Sequence, residues 1–485
     1  MAKPTTLAFF PNCVVYLLTF IPLFCSPNKT YAWYNERSKS YYSVVQVSSL
    51  LLAPSCNRSA NGGQSQREGI SLNVFHTSTV TGKAPTLAQI HAHDRSRRKS
   101  ILLSGSVKPH PHVFKSESNL NRVDLPARSG LPEFELGEYM VTVGLGTPKR
   151  DISLIFDTGS HVLWTQCKPC LKCYKQLEPI FDPPASKTFK TVPCSSRRCS
   201  QPEGVFGIYT NCSSNSCIFV GSYGDGTFTL GNLAVDKLTL TPSVAVNNYI
   251  FGCGHYNGGP NGLAAGIMGL GRAPVSIVSQ ISPDKYFSYC LPKISSCSST
   301  GHLSFGKPKD ISKLKFTPLW TNYPFAIPYI YAINVTGIKV AGKMLPIPES
   351  AFRSGIQIID SGTTATSFLK PIYTVLLTAI RREMQKYPPT KGDNITDTCY
   401  NLRKYKTVRL PKVSFYFKGD VEVPIPPFGL FFGENTSQIC LAVSSVDPGS
   451  GEDPVAFIGN LAQQTLEIGH DVLNARIGFA SGGCY

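Results

Sequence analysis

The stretch that decides the fold is Leu154–Ser160 (LIFDTGS), in which an apolar run ends at Asp157 and an acidic turn. The stretch Ile358–Thr364 (IIDSGTT) repeats this pattern around Asp360. In each copy, β-branched residues predict a buried strand, and a hydroxyl residue and a Gly then turn the chain sharply, because Gly accepts backbone angles that a Cβ forbids. A single copy is typical of an ordinary Asp-Gly turn. Two copies indicate a duplicated architecture in which each of two lobes contributes one carboxylate.

Further motifs support the duplication. Gly266–Gly271 (GIMGLG) follows the first copy and Ala456–Asn460 (AFIGN) follows the second. Four more motifs accompany them: Gly144–Pro148 (GLGTP), Trp164–Cys167 (WTQC), Tyr223–Thr227 (YGDGT) and Phe251–Gly254 (FGCG). In this number and order, they resemble the motifs of pepsin-type aspartic endopeptidases, and within that family those of the plant nepenthesin-like branch. The resemblance extends from Gly137 to the end of the chain.

The resemblance implies a mainly β, bilobal pepsin-like acid protease fold. It would have two pseudo-symmetric six-stranded-barrel-type lobes, residues 131–320 and 321–485, with the active site in the cleft between them. Asp157 and Asp360 would be the catalytic pair. The turns would support them through Thr158, Gly159, Ser160, Ser361, Gly362 and Thr363. Ser160 and Thr363 would hydrogen-bond the outer carboxyl oxygens, and Thr158 and Ser361 would cross-link the two loops.

A Gly-rich hairpin forms the other part of the predicted site, with the residues Tyr223, Gly224, Asp225 and Gly226. The resemblance implies that this hairpin bends over a bound peptide and that Trp164 holds Tyr223. Without the surrounding motifs, a plain hairpin turn would be the simpler interpretation. A hairpin that closes over a substrate also excludes water from it.

Two carboxyl groups held close together cannot both ionise cheaply, so their pKa values separate. One ionised Asp can then take a proton from a water that attacks a peptide carbonyl, while the protonated partner donates to the developing oxyanion. The sequence leaves open which Asp is the base. The chain carries no P-loop, dinucleotide fingerprint or His-rich metal spacing, so we expect no cofactor and no metal.

Three residues depart from the pattern of the nepenthesin-like branch. His161 stands where an acidic residue is usual, and Gly469 and His470 replace an apolar and an aromatic residue before Asp471. None of these changes removes a carboxylate of the pair. We expect His161 to place a titratable cation beside the pair and to shift the working pH.

The amino-terminal region differs from the rest of the chain. Residues 1–32 predict a secretory signal peptide, since Lys3 precedes an apolar run that Pro11 and Pro22 interrupt. Residues 1–35 contain no acidic residue, so a transit peptide and a chloroplast location remain the alternative. Residues 33–130 predict a propeptide with one helix-like stretch, which begins at Leu87 and ends in a basic cluster.

The charge of the chain is concentrated in this region. Residues 1–130 contain 15 Lys+Arg against 5 Asp+Glu, so +10 of the net charge of +17 precedes the predicted lobes. An inhibitory segment that neutralises an acidic cleft explains this distribution, and a solvated basic linker is the simpler alternative. In the first case, cations such as Arg95, Arg97, Arg98, Lys99 and Arg122 pair with carboxylates in the cleft. Acid then loosens the segment, and we expect cleavage near Leu125 to Leu131.

The cysteines predict disulfides rather than a zinc site, because a secretory compartment is oxidising. The nepenthesin-like pattern implies the pairs Cys167–Cys170, Cys173–Cys253, Cys194–Cys217, Cys199–Cys212, Cys290–Cys484 and Cys399–Cys440. Cys297 matches no position of that pattern. Sequons mark five candidate glycan sites: Asn57, Asn211, Asn334, Asn394 and Asn435.

Three functions are compatible with these features of the sequence. The first, which we favour, is a secreted acidic endopeptidase made as a zymogen, monomeric, with peptides and its own propeptide as partners and no membrane partner. The second is a non-catalytic relative on the same fold, such as the plant glycoprotein inhibitors. The third adds DNA binding, which a pI of 9.2 and the resemblance to a chloroplast nucleoid DNA-binding protease suggest. Basic charge alone is weak support, and we expect only weak binding to duplex DNA.

Overall fold

Strands dominate the fold because β-branched and aromatic residues alternate between Gly- and Pro-containing turns along most of the chain. The computed structural model describes residues 40–51, 70–76, 86–106, 138–199, 208–259, 263–294, 301–321, 329–392 and 398–484. Several predictions fall outside these residues: the signal peptide, Arg122, the cleavage region Leu125 to Leu131, Cys297, Asn57 and Asn394. Of the other sequon residues, Asn211 and Asn435 are exposed and Asn334 is half-buried.

The strands up to residue 321 are β1 (Tyr42–Gln46), β2 (Ile70–His76), β3 (Tyr139–Leu145), β4 (Arg150–Asp157), β5 (Leu163–Gln166), β6 (Lys190–Thr191), β7 (Ile208–Ser213), β8 (Ser216–Ser222), β9 (Phe228–Thr241), β10 (Val244–Gly258), β11 (Gly266–Gly269), β12 (Tyr286–Cys290), β13 (Gly301–Phe305) and β14 (Lys315–Pro318). The strands after residue 329 are β15 (Ala332–Ile333), β16 (Val335–Val340), β17 (Lys343–Met344), β18 (Ile356–Ile359), β19 (Thr366–Leu369), β20 (Pro389–Thr390), β21 (Cys399–Tyr400), β22 (Thr407–Pro411), β23 (Val413–Phe417), β24 (Val421–Ile425), β25 (Phe431–Asn435), β26 (Gln438–Leu441), β27 (Val443–Val446), β28 (Val455–Ile458), β29 (Leu466–Asp471) and β30 (Arg476–Ser481). The mainly β fold class is confirmed.

Helices are few among the described residues. The α-helices are α1 (Leu87–Ser106), α2 (Ile277–Ile281), α3 (Glu349–Arg353), α4 (Lys370–Met384) and α5 (Asn460–Gln463), and short 3-10 helices cover Val47–Leu50, Pro183–Ala185, Pro427–Gly429 and Pro448–Ser450. The sequence predicts α4, since Leu376, Leu377 and Ile380 fall on one face, and all three are buried. No helix in the described part of the chain is long and apolar enough to cross a membrane.

The largest sheet joins strands from both halves of the chain. Its order is β14-β30-β29-β12-β13-β2-β3-β4-β11-β5-β10-β9-β8-β7, with β6 paired to β9. The strand β2 belongs to the predicted propeptide and lies between β13 and β3, where Leu72 is opposite Leu303 and Phe75 is opposite Met140. The predicted propeptide therefore contributes a strand to the centre of the sheet, which its irregular sequence did not predict.

Smaller sheets build the second half of the chain. They have the orders β15-β18-β28, β17-β16-β23-β24, β19-β27 and β20-β21-β26-β25, and β1 pairs with β22. Buried apolar residues from most of these strands form a continuous core with those of the large sheet. A continuous core of this kind fixes the strands that carry the two acidic turns.

Two of the six expected disulfides, Cys290–Cys484 and Cys399–Cys440, are present in the structure. The other four expected pairings are wrong, because the structure replaces Cys167–Cys170, Cys173–Cys253, Cys194–Cys217 and Cys199–Cys212 by Cys167–Cys253, Cys170–Cys173, Cys194–Cys212 and Cys199–Cys217. All twelve cysteines expected in bridges are still bonded.

Strand register explains the corrected pairs. The strand β5 runs parallel to β10 with Thr165 opposite Cys253, so Cys167 at the end of β5 meets Cys253 with the Cα atoms 5.4 Å apart. In the hairpin of β7 and β8, Cys212 and Cys217 lie opposite each other, and each bonds to a cysteine of the preceding loop. These neighbours depend on long-range pairing, which cysteine spacing does not reveal.

Candidate active site

Two equivalent strand pairs deliver Asp157 and Asp360. The strand β4 runs parallel to β11, with Asp157 opposite Gly269, and β18 runs parallel to β28, with Ile359 opposite Ile458. The partner strands β11 and β28 overlap the two motifs that follow the acidic turns in the sequence, Gly266–Gly271 and Ala456–Asn460, which we call the echo motifs. The strands β4 and β18 each have a neighbouring strand on both sides, and the last six residues of β4 and all four of β18 are buried on both faces. The structure thereby confirms the duplication.

The two acidic turns are cross-linked by a reciprocal pair of hydrogen bonds. The backbone N–H of Thr158 donates to Ser361 Oγ at 3.0 Å, and the backbone N–H of Ser361 donates to Thr158 Oγ1 at 2.9 Å. Ser361 Oγ also donates to the carbonyl of Phe156 at 3.2 Å. Because all of these groups are buried, the cross-link fixes the separation of the two loops.

The outer carboxyl oxygens are treated differently in the two turns. Thr363 Oγ1 donates to Asp360 Oδ2 at 2.6 Å, as expected. In the first turn, the Ser160 hydroxyl acts to lower the pKa of Asp157, although neither Ser160 Oγ nor Asp157 Oδ2 has a partner in full hydrogen-bond geometry.

The carbonyl oxygens behind the pair are held by residues that the sequence analysis did not select. The backbone N–H of Leu270 donates to the carbonyl of Asp157 at 2.8 Å, and Gln463 Nε2 donates to the carbonyl of Asp360 at 3.0 Å. Asn460 Nδ2 donates to the carbonyl of Ser361 at 3.1 Å. Leu270 and Asn460 belong to the echo motifs, so the repeated position was the available signal.

One guanidinium group occupies the space between the two carboxylates. Arg97, from α1, donates from Nε to Asp360 Oδ2 at 2.5 Å and from Nη2 to Asp360 Oδ1 at 3.0 Å. The same Nη2 donates to Asp157 Oδ1. Arg97 is one of the cations expected to pair with the cleft, whereas Arg95 is exposed and Arg98 lies 3.6 Å from Glu452. The two carboxylates therefore converge on a single nitrogen atom.

Burial and Arg97 set the pKa values of the pair. Burial raises the pKa of Asp157, although the charge of Arg97 opposes that effect. Burial also acts on Asp360, but the charge and hydrogen bonds of Arg97 outweigh it and hold the pKa of Asp360 below its usual range. The same carboxylates hold the pKa of Arg97 well above its usual value despite burial. The pair therefore releases its two protons in separate steps.

The glycines of the acidic turns give Arg97 its access. A Cβ on Gly159 would lie 2.8 Å from Asp360 Oδ1 and would clash with Arg97 Nη2. A Cβ on Gly362 would lie 2.5 Å from the same nitrogen and 2.6 Å from Asp157 Oδ1. Any side chain at either position would fill the space in front of the carboxylates, so both turns require Gly for close approach.

The predicted hairpin lies beside the pair. Trp164 Nε1 donates to the Tyr223 hydroxyl at 2.8 Å; Trp164 is buried and Tyr223 is half-buried. Burial raises the pKa of Tyr223, so its hydroxyl stays protonated. Asp225 closes the turn by accepting from the backbone N–H of Thr227 at 2.8 Å, and Gly226 has a φ of 91°, which favours Gly. A Cβ on Gly224 would clash with the backbone of Ser96 in α1.

The helix α1 holds the site at two further points. Asp94 accepts from the backbone N–H groups of Thr364 at 2.9 Å and Ala365 at 2.7 Å. His93 Nε2 lies 3.5 Å from Glu138 Oε1 and 3.6 Å from Asp225 Oδ2. The sequence analysis missed these contacts, since no motif marks them and they depend on how the helix docks.

His93 is surrounded by carboxylates. Burial acts to lower the pKa of His93, but its hydrogen bonds to Asp225, Asp94 and Glu138 outweigh burial and raise it well above its usual value. Burial raises the pKa of Glu138, and His93 opposes that effect. For Asp225, burial is outweighed by His93 and Thr227, which lower the pKa. His93 is therefore charged when it contacts the hairpin.

The expectation that His161 brings a titratable cation to the pair is wrong. Burial, aided by the nearby charge of Arg272, lowers the pKa of His161 to about 3. Its imidazole ring is fully buried and contacts Tyr329 edge-on, with the ring centres 6.1 Å apart. His161 is neutral over most of the acidic range, because burial disfavours its charged form and the charge of Arg272 opposes it.

His470 has the same character. Its ring stacks on Phe287 with the centres 4.3 Å apart and meets Tyr331 edge-on at 4.5 Å. Burial lowers its pKa to about 3. It takes the place of an aromatic core residue and does not take part in the site.

No cluster of three or more His, Cys, Asp or Glu side chains in the described ranges is arranged to hold a metal ion. Most polar groups of the site are instead paired with each other or with α1. Chemically, the arrangement offers two convergent carboxyl groups with different pKa values, and a hairpin above them.

Comparisons with known proteins find similar plant proteins over most of the chain. The family models Xylanase inhibitor N-terminal and Xylanase inhibitor C-terminal match residues 139–307 and 330–481. An aspartyl protease family protein of Arabidopsis thaliana is 40% identical over 484 residues, 98% of each chain. Aspartic proteinase nepenthesin-1 of Nepenthes gracilis is 35% identical over 431 residues, 85% of this chain and 93% of the relative.

The solved structures show likeness of fold alone. Conglutin gamma, a basic 7S globulin from lupine seeds, has a TM-score of 0.56 at 22% identity, over 71% of this chain and 92% of its own. Basic 7S globulin from soybean has a TM-score of 0.55 at 20% identity, over 71% and 92%.

Proposed function

Because the chain belongs to the plant nepenthesin-like family of pepsin-type aspartic proteases and has their bilobal fold, we propose that it is an active aspartic endopeptidase made as a zymogen. The observation that carries the proposal is the convergence of Asp157 and Asp360 on Nη2 of Arg97. Two carboxylates that reach one nitrogen atom can equally reach one water molecule once the guanidinium has left. The intact pair favours a peptidase over a non-catalytic relative.

The proposed reaction uses the two carboxyl groups as an acid and base pair. The ionised carboxylate takes a proton from a water molecule, whose oxygen attacks the peptide carbonyl carbon. The other carboxyl donates its proton to the carbonyl oxygen, which gives a tetrahedral diol. The carboxyl that took the proton from water then donates it to the leaving nitrogen as the C–N bond breaks, and a diol hydroxyl returns a proton to the other carboxylate. Tyr223 and Asp225 lie on the hairpin that would cover the peptide, and Trp164 would hold Tyr223 in place.

The inhibitory role of residues 33–130 rests on three contacts of α1. Arg97 neutralises the pair, Asp94 accepts from two N–H groups of the second acidic turn, and His93 holds the hairpin through Asp225. A substrate peptide needs the same space between hairpin and carboxylates. A docked α1 therefore excludes substrate.

Acid should release this segment. Burial acts to raise the pKa values of Asp360 and Asp225, but Arg97 holds that of Asp360 below its usual range and His93 does the same for Asp225. These two carboxylates therefore bind more protons after α1 has left than before. By linkage, a process that takes up protons is favoured as the pH falls. Arg97 remains charged throughout, so the carboxylates must act as the switch.

Secretion and the monomeric state belong to the same proposal. The predicted signal peptide and the disulfides found within the described residues support a secretory route.

The test is digestion of a peptide library between pH 2 and pH 8 by the acid-treated wild-type protein and its Asp157→Asn variant. The matched control is Asp151→Asn, because Asp151 is exposed on the same strand and pairs with Lys149. We expect wild type and Asp151→Asn to cleave internal bonds below about pH 5, where Asp and Glu titrate. Asp157→Asn should lose at least about 1,000-fold in rate, since one member of the acid and base pair is gone. A wild-type protein that cleaves nothing would favour a non-catalytic relative.

A further inference from the structure

We propose that the second lobe carries a peptide-binding surface separate from the active-site cleft, formed by the edge of β22 and the residues around it. Its occupant is the segment Tyr41–Leu51 of this same chain, which we call the anchor segment. The surface keeps the anchor segment bound after the chain that follows it has been cut. The binding does not require peptidase activity; only its consequence for maturation rests on the proposed function.

The backbone of the anchor segment pairs with β22, and the two strands form a two-stranded sheet. The strands β1 and β22 pair antiparallel in continuous register, from Tyr42 opposite Pro411 to Gln46 opposite Thr407. The pairing continues at both ends: the N–H of Lys412 donates to the Tyr41 carbonyl at 2.9 Å, and the N–H of Val47 donates to the Lys406 carbonyl at 3.1 Å. The segment therefore pairs with a single strand of the second lobe, and main-chain hydrogen bonds of this kind give affinity to a bound extended peptide.

Two apolar side chains of the anchor segment are buried in the surface. Val47 and Leu50 belong to the 3-10 helix Val47–Leu50 and are 2% and 1% exposed. This helix lies against β25 and the 3-10 helix Pro427–Gly429, and both side chains join the continuous core. Val44, on the outer face of β1, is 72% exposed. The surface therefore recognises two apolar side chains three residues apart, which adds selectivity to the main-chain pairing of β1.

An aromatic side chain adds a polar contact. The Tyr42 hydroxyl donates to Glu383 Oε2 at 2.7 Å, and the guanidinium carbon of Arg409 lies 3.8 Å from the centre of the Tyr42 ring. This hydrogen bond is the main cause of a lowered pKa of Glu383. The ring of Tyr41 covers Gly342 so closely that a Cβ there would clash with it. The chemistry fits a peptide of the form aromatic–x–x–x–x–aliphatic.

The contacts of the anchor segment and of α1 fall on different elements. The anchor segment contacts β22, α4, β25 and Pro427–Gly429, all in the second lobe. The helix α1 contacts the acidic turns and the hairpin. Release of α1 therefore breaks no contact described for the anchor segment. Loss of the anchor segment would instead expose the backbone of β22 and the apolar residues that contact Val47 and Leu50. A soluble protein rarely leaves such groups uncovered.

The experiment separates the anchor segment from the rest of the propeptide without using the protein's own activity. A recognition sequence for a site-specific protease is inserted between Gly62 and Gly63, outside the described residues, in the full chain carrying Asp157→Asn. Cleavage at neutral pH leaves a fragment that contains the anchor segment but neither β2 nor α1. Gel filtration under native conditions, followed by intact-mass spectrometry of each fraction, shows whether the fragment stays with the body.

We expect the fragment to co-elute with the body. Val47→Asp and Leu50→Asp should each speed its release by at least about ten-fold, because each buries an unpaired carboxylate. Val44→Asp is the matched control and should release the fragment at the wild-type rate, since the same substitution there is exposed to solvent. Tyr42→Phe, a milder change, should speed release by about two- to ten-fold through loss of one hydrogen bond to a charged group.

Two outcomes would overturn the proposal. One is a wild-type fragment that separates from the body on the first gel-filtration run. The other is equal release from the Val44→Asp and Val47→Asp proteins when near-ultraviolet circular dichroism shows both to be folded before cleavage. If Val47→Asp does not fold, the wild-type and Tyr42→Phe measurements still decide. A missing peptidase activity would leave all of these results unchanged.

Discussion

Arg97 places one cation against two buried carboxylates, and each of the three charges depends on the others. A buried charge whose partner is removed costs several kcal/mol, so the arrangement holds only while all three are present. Within the described residues, the hydrogen bonds of the Arg97 side chain go to Asp157 and Asp360. Its loss should therefore change the behaviour of the precursor more than the loss of any neighbouring cation.

The first prediction is that Arg97→Gln allows the precursor to mature at higher pH. Without the cation, the pKa values of Asp157 and Asp360 rise and α1 is held less strongly. At pH 6 we expect maturation at least about ten-fold faster than in wild type. The measurement is the rate of precursor loss by gel electrophoresis between pH 4 and pH 7. Arg95→Gln is the control, since Arg95 is exposed on the same helix; an equal effect of both variants would contradict the role of Arg97.

The second prediction concerns His470, whose pKa is lowered to about 3 by burial. Its ordinary pKa is about 6.5, so between about pH 6.5 and pH 3 His470 is protonated in the unfolded chain and neutral in the folded chain. The free energy of unfolding therefore falls as the pH drops below about 6.5, and the loss is complete below about pH 3. His470→Phe removes this penalty and keeps an aromatic ring against Phe287.

We expect His470→Phe to raise the free energy of unfolding by about 3 kcal/mol more at pH 4 than at pH 7.5. Denaturant unfolding at both pH values measures it, in an Asp157→Asn background that prevents self-cleavage. His255→Phe is the control, because His255 hydrogen-bonds the carbonyl of Pro169 near the surface. A gain that is the same at both pH values would show that packing, and not protonation, is responsible.

At this scale, the sequence predicts what depends on local chain geometry. The acidic turns could be found because a strand, an Asp, a hydroxyl residue and a Gly follow one another directly. The choice of Arg97 over Arg95 could not be made, since it depends on which face of α1 meets the carboxylates. The prediction for His161 was wrong for a similar reason, because its proximity in sequence to Asp157 does not reveal that its side chain is buried.

Among the helices and strands, too, those set by their own sequence could be predicted and those set by distant partners could not. The helix α4 could be predicted because one face of its own sequence is apolar. The strands β1 and β2 could not, because each gains its partners from distant parts of the chain, β22 for β1 and both β13 and β3 for β2. Pairings of this kind also decided the disulfides, where the register of β5 against β10 brings Cys167 to Cys253.

In the whole molecule, the predicted propeptide does three separate things. The strand β2 joins β3 and β13 in the large sheet, α1 fills the space before the carboxylates, and the anchor segment extends β22. Only the second of these was expected from charge. The fold of the two lobes could be predicted because the resemblance covers them, whereas the propeptide sequence carries no comparable motif.

The central claim is that Asp157 and Asp360 form one catalytic pair, which α1 blocks and acid releases. It is tested most directly by intact-mass spectrometry of the purified precursor after a pulse at about pH 3 to 5, where carboxylates titrate. The same pulse is applied to the Asp157→Asn and Asp360→Asn variants, with Asp151→Asn as control. We predict that wild type and Asp151→Asn cut themselves near Leu125 to Leu131 and that neither Asp157→Asn nor Asp360→Asn does. Maturation of either of these last two variants at the wild-type rate, in a preparation free of other proteases, would contradict the claim.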